Sequence, residues 1–232
     1  MGRSLETNRV LASNRSQITP ASPRHKLGGN WVLNGDFESI PPFTANQTAN
    51  GYIDGTASGS ATDDTYHWHA NGSSGGWTVN FDEVEKYAGS ASLKLHIDAG
   101  KYMVGKSNNW DGVYGTGAKG RMRVIVGNTY RLSGWIKTDN MSGDSTDGLK
   151  LGLVFMKSDG SLKSASYATG AIKTDQDWTY YESDIVAPAD AVYAAALLRF
   201  YGHTGAGTLT GDAWFDYVSV VDLNEPTRNL IS

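Results

Sequence analysis

Along most of the chain, apolar residues fall at alternate positions in short runs, and glycine, asparagine, aspartate and serine break the runs apart. Ala91–Ile97 (ASLKLHI) keeps its apolar residues at every second place, and Thr129–Lys137 (TYRLSGWIK) and Ala213–Val221 are further predicted strands. A period of two places one edge of a segment against a core and the other against water, which is the signature of a half-buried strand. The same reading predicts strands at Trp31–Phe37, Trp77–Phe81, Tyr102–Gly105, Met122–Val126, Leu149–Met156, Ser164–Ala168, Trp178–Ile185 and Ala194–Tyr201. Tyr66-His67-Trp68-His69 forms a further short alternating piece, and Ser158-Asp159-Gly160 supplies a hairpin signal. No segment sustains apolar residues at the helical spacing. Asp190–Leu198 comes nearest, and its β-rich neighbours make it a strand or a turn.

About twelve short strands separated by turn signals predict an all-β fold, an antiparallel sandwich. Residues 40–76 interrupt the pattern as a long polar insertion. Residues 1–29 carry Pro20 and Pro23, end in two glycines and have no apolar period, so they are expected to form an extended N-terminal arm. The division is an arm at 1–29, a sandwich at 30–223 and a tail at 224–232.

Composition narrows the classes. Of 232 residues 28 are glycine and none is cysteine, which excludes a disulfide framework, a thiol nucleophile and a zinc finger. The longest apolar run, Ala191–Leu198, falls far short of the ~20 residues of a membrane-spanning helix. The first residues lack the apolar stretch of a secretory signal. Net charge is −4, yet the arm alone carries +4, leaving −8 on the remainder. A basic arm on an acidic body is expected to dock on something negative: an acidic protein surface, nucleic acid or a neighbouring copy of the chain. A loose, solvated terminus is the alternative. The acidic body argues against nucleic acid as a ligand of the main domain.

Five segments carry a resemblance: Asn34-Gly35-Asp36-Phe37-Glu38, Tyr87–Leu95 (YAGSASLKL), Asn128–Lys137 (NTYRLSGWIK), Trp178-Thr179-Tyr180-Tyr181 and Ala213–Val220 (AWFDYVSV). In this order they resemble carbohydrate-binding modules of the family four, nine and twenty-two type. The resemblance implies a jelly-roll sandwich, carbohydrate as a partner and a structural calcium ion. Carried over residue by residue, the calcium ligands would be Asp36 or Glu38, a carbonyl near Lys86, and Asp216. The insertion and the basic arm depart from the family pattern. The packing face expected from these segments comprises Phe37, Leu93, Leu95, Trp135, Trp214, Phe215 and Val218.

Sugars are held by aromatic faces with polar side chains on the hydroxyls. Trp68, Trp110, Tyr114, Arg199 and Tyr201 are the expected ligand contacts, with Tyr52 a weaker candidate. His67 and His69 share one side of their segment, but no third metal ligand stands near them in sequence. Two catalytic patterns fail on context. Gly72-Ser73-Ser74-Gly75-Gly76 lacks the strand-to-helix turn of a nucleophile elbow, and Gly115-Thr116-Gly117-Ala118-Lys119-Gly120 leads into a strand instead of a helix. The expected function is therefore non-catalytic glycan attachment at a virion surface or outside the cell. The alternative is a bacteriophage structural protein, a capsid decoration or tail component, anchored by residues 1–29. Self-association into a homo-oligomer is open on either reading.

Overall fold

The computed structural model describes residues 30–32, 35–38, 51–52, 68–107 and 122–224. Twelve strands run through them: β1 (Gly51–Tyr52), β2 (Trp68–Gly72), β3 (Trp77–Asp82), β4 (Ser92–Ile97), β5 (Tyr102–Ser107), β6 (Met122–Arg123), β7 (Thr129–Ser142), β8 (Gly148–Met156), β9 (Leu162–Tyr167), β10 (Gln176–Val186), β11 (Tyr193–Tyr201) and β12 (Thr210–Asp222). No helix among the described residues is long and apolar enough to cross a membrane.

The strands build two antiparallel sheets packed as a jelly-roll sandwich. One has seven strands in the order β1-β2-β5-β11-β8-β9, with β6 also pairing to β11. The other has five, in the order β10-β7-β12-β4-β3. The chain crosses repeatedly between the sheets, so strands adjacent in sequence rarely pair. Alternation in each strand turns one set of side chains inward. Val79, Leu93, Leu95, Leu132, Ile136 and Phe215 from the five-stranded sheet meet Met103, Leu151, Phe155, Leu198 and Phe200 from the seven-stranded sheet. Removing such side chains from water is the main source of the fold's stability.

Two expected strands are corrected. The described residues of Trp31–Phe37 form no strand: Gly35 and Asp36 make a turn, and Phe37 takes a positive φ of 56°. The segment is instead fastened to the end of β12. Asn30 Oδ1 accepts from the Val220 N–H at 2.9 Å, its amide donates to the Val218 carbonyl at 3.0 Å, and the Trp31 N–H donates to the Val220 carbonyl at 2.9 Å. Met122–Val126 shortens to Met122–Arg123, because Val126-Gly127 turns the chain into β7.

A register shift in β12 between Asp216 and Ser219 marks a bulge, and Tyr217 there has a φ of 49°. The bulge lets the Val218 N–H reach the Gly35 carbonyl at 2.7 Å. Gly35 has to be glycine, since a Cβ would run into the Val218 carbonyl oxygen.

Candidate functional site

Cross-strand register gathers a polar and aromatic cluster on the outer face of the seven-stranded sheet. One row across the strands reads Tyr167, Gly152, Leu197, Lys106 and His69. The next reads Lys150, Arg199, Val104 and Asn71, and a third pairs Tyr201 with Tyr102. All point away from the core, because Ala196, Leu198 and Phe200 occupy the inward positions of β11. Gly152 leaves room for the Tyr167 ring: a Cβ there would stand 2.8 Å from the ring edge.

The cluster is organised around Arg199. Its guanidinium lies 3.9 Å from the centre of the Tyr201 ring and 5.7 Å from that of Tyr167. Nη1 donates to the Tyr167 hydroxyl at 2.6 Å and Nη2 to Asp147 Oδ2 at 2.7 Å. Lys150 Nζ donates to Asp147 Oδ1 at 3.1 Å and sits 5.1 Å above the Tyr167 ring. Burial pushes the Asp147 carboxyl up, but the Lys150 hydrogen bond and the charges of Arg199 and Lys150 outweigh it and leave the group below its ordinary range. Tyr102 meets Tyr201 edge-on at 5.2 Å, and His203 stacks obliquely on both, at 4.9 and 5.0 Å. Burial raises the Tyr201 hydroxyl against the opposing charge of Arg199, so it stays a neutral donor. The result is a half-buried aromatic floor with fixed donors and one carboxylate acceptor.

Of the expected ligand contacts, Arg199 and Tyr201 lie together in this cluster. Trp68 does not: it is 0% exposed, points inward from β2 and packs on Phe37 with ring centres 5.3 Å apart. This corrects its reading as an exposed stacking residue. Its polar neighbours were misleading because His69 and Asn71 take the outward positions while Trp68 and Ala70 take the inward ones. Trp110 and Tyr114 lie outside the described residues, as does His67. Tyr102, Tyr167, Lys150 and Asp147 escaped notice in the sequence. They come from three separate places in the chain, Asp147 and Lys150 being neighbours, and strand pairing brings the three together.

At the β12 bulge the structure joins two of the expected calcium ligands. Asp216 is 0% exposed. Its Oδ2 accepts from the main-chain N–H groups of Tyr87 and Ala88 at 3.0 and 3.2 Å, and Oδ1 accepts from that of Tyr217 at 2.8 Å. Burial drives its carboxyl up to about 7 against these three hydrogen bonds, and the nearby Glu38 charge adds to the rise. Glu38 takes the Ser90 N–H on both oxygens, at 2.8 and 3.0 Å. It lies against Gly89, whose φ of 71° and missing Cβ make room for the carboxylate. Asp36 is exposed, and Lys86 directs its ammonium to the Glu83 carbonyl. No group of three His, Cys, Asp or Glu side chains suited to a metal occurs among the described residues. Carboxylate oxygens are donors of the kind a hard cation takes, and all four here already accept main-chain N–H groups.

The outer face of the five-stranded sheet holds two side chains expected in the core. Trp214 points outward because its neighbour Phe215 points in. Its indole donates to Asp82 Oδ2 at 2.8 Å, and Lys94 caps its ring at 4.7 Å. Trp135 stacks face to face on Tyr87 at 3.7 Å. A groove of about 650 Å³ beside them is lined by Thr78, Asn80, Glu83, Lys94, His96 and Asp212 among others. Ser73-Ser74 forms the turn between β2 and β3, so the Gly-x-Ser-x-Gly pattern joins two strands.

No protein-family model matches the chain, and no curated protein matches it. Solved structures do. The enzymatically active domain of bacteriophage CBA120 tailspike protein 4 aligns at 14% identity with a TM-score of 0.50, over 84% of this chain and 21% of that one. The chain thus spans about a fifth of the tailspike domain's length. A CBM22-1 xylan-binding domain from Paenibacillus barcinonensis aligns at 16% identity and a TM-score of 0.42, over 77% and 95% of the two chains. A family 16 carbohydrate-binding module aligns at 16% and 0.39, over 62% and 85%. At such identities the likeness concerns the fold.

Proposed function

We propose that the chain is a non-catalytic glycan-binding module that holds a saccharide on the outer face of its seven-stranded sheet. The observation carrying this reading is the convergence of Tyr102, Tyr201, His203 and Tyr167 with the donors of Arg199 and Lys150 and the acceptor Asp147. Rings supply flat apolar area for sugar C–H groups, and the polar groups match ring hydroxyls. Tyr102, Lys150, Tyr167, Arg199 and Tyr201 stand on strands, and Asp147 and His203 lie just beyond strand ends, which keeps them positioned before a ligand arrives. Replacing Tyr102 or Tyr201 by alanine is expected to weaken polysaccharide binding roughly tenfold, the equivalent of about 1.4 kcal/mol. Affinity gel electrophoresis across a polysaccharide panel measures it. No retardation of the parent protein on any polysaccharide would refute the reading.

A calcium ion held by Glu38 and Asp216 belongs to the same proposal. It would neutralise two carboxylates drawn together at the bulge and tie the Tyr87–Ser90 turn to β12. Attachment to a virion is the second reading, supported by the charge contrast between residues 1–29 and the acidic remainder. On that reading, deletion of residues 1–29 abolishes incorporation into particles and leaves sugar affinity unchanged. Normal incorporation of the truncated protein, scored on purified particles, excludes an anchoring arm.

A further inference from the structure

The two sheets carry opposite charge. The strands of the seven-stranded sheet contain Lys106, Arg123, Lys150, Lys163 and Arg199 and no aspartate or glutamate. The strands of the five-stranded sheet contain eight acidic residues against Lys94, Arg131 and Lys137. Random scatter over a chain that is acidic outside its arm would not strip one sheet of every carboxylate. The binding face sits on the cationic sheet.

Within the cluster the imbalance is sharper. Asp147 is the sole carboxylate bonded to Arg199 and Lys150 among the described residues, so two fixed cations share one anion. A guanidinium offers five N–H donors in a planar fork. Protein acceptors engage one hydrogen each on Nη1 and Nη2 of Arg199 and leave the second N–H of each nitrogen, while the Nε–H is buried out of a ligand's reach. The site therefore has surplus positive charge and surplus donors, set over a tyrosine floor. Neutral sugars present hydroxyls that donate as readily as they accept and would leave this surplus uncompensated. A carboxylate accepts without donating and suits the guanidinium fork.

Resting on the glycan reading above, we propose that this face selects an acidic polysaccharide, a polymer of uronate units, with Arg199 and Lys150 facing the carboxylates and the tyrosines under the sugar rings. The carboxylate-rich opposite face would repel such a polymer and so leaves one side of the module for it.

Polygalacturonate and its highly methyl-esterified form share a backbone and differ in charge, which makes them the deciding pair of probes. In affinity gels the full chain should be retarded at least tenfold more strongly by polygalacturonate than by the ester. Added salt should weaken the retardation, as expected for charge pairing near a surface. Arg199→Gln should reduce it about tenfold, and Lys150→Gln, at a comparably buried position with a single hydrogen bond to Asp147, should reduce it too and provides a second variant should the first fail to fold. Equal retardation by the ester would overturn the charge selection while leaving the glycan reading intact. Retardation by neither probe, nor by neutral polysaccharides, would instead defeat the glycan reading. Stronger binding to dextran sulfate than to polygalacturonate overturns the assignment to carboxylates. Equal binding to duplex DNA reduces the effect to nonspecific attraction and overturns it as well.

Discussion

Alanine in place of Trp68 should lower the melting temperature by about 10 °C, because loss of a fully buried tryptophan costs about 3–5 kcal/mol. The indole is 0% exposed and packs on Phe37, which itself meets Phe81 at 6.2 Å. A hole of that size in a close-packed interior is filled only partly by relaxation. Trp68→Phe should recover much of the loss, since it restores an aromatic body at the same place. Calorimetry or denaturant titration gives the measurement. Glycan affinity of the protein that remains folded should be close to that of the parent. A variant that keeps its melting temperature but loses affinity would return Trp68 to the role of a ligand contact.

The second large effect is expected at Asp216. Its two oxygens accept from three main-chain N–H groups, and Asp216→Ala leaves all three without that acceptor in a buried place. Each unsatisfied buried donor costs about 1–3 kcal/mol. Relief of a buried charge offsets part of this, so a net loss of about 2–4 kcal/mol is expected. The same variant distinguishes the staple from the cation. Calcium should raise the melting temperature of the chelator-treated parent by mass action and leave the variant where it is. A parent that melts identically in calcium and in chelator would retain the three hydrogen bonds as the whole role of Asp216.

Much of the architecture was legible in the alternation of apolar and polar residues. ASLKLHI and TYRLSGWIK became β4 and the first part of β7 because a period of two has one structural solution when a core is available on one side. The segment at Trp31–Phe37 alternates just as well, yet Gly35 and the positive φ of Phe37 override the pattern. Which side of a strand faces inward was less legible. Trp214 and Phe215 are both large and apolar, and the choice between them depends on Lys94 and Asp82 in neighbouring strands. The binding face was half visible for the same reason. Arg199 and Tyr201 stand two apart in one strand, whereas Tyr102, Asp147 and Tyr167 reach them only through pairings among β5, β8, β9 and β11.

The placement of β12 has a consequence for how the molecule comes into being. It is the last of the described strands, yet it lies in the middle of its sheet, between β7 and β4. Until it emerges from the ribosome, β7 and β4 stand with vacant hydrogen-bonding edges and the core is open along its length. Contacts separated by so many residues form slowly. The nascent chain thus passes through an interval in which any extended segment, its own or a stranger's, could occupy the gap. The clasp of Asn30 onto Val218 and Val220 then acts as the final latch, closing only after the central strand has seated.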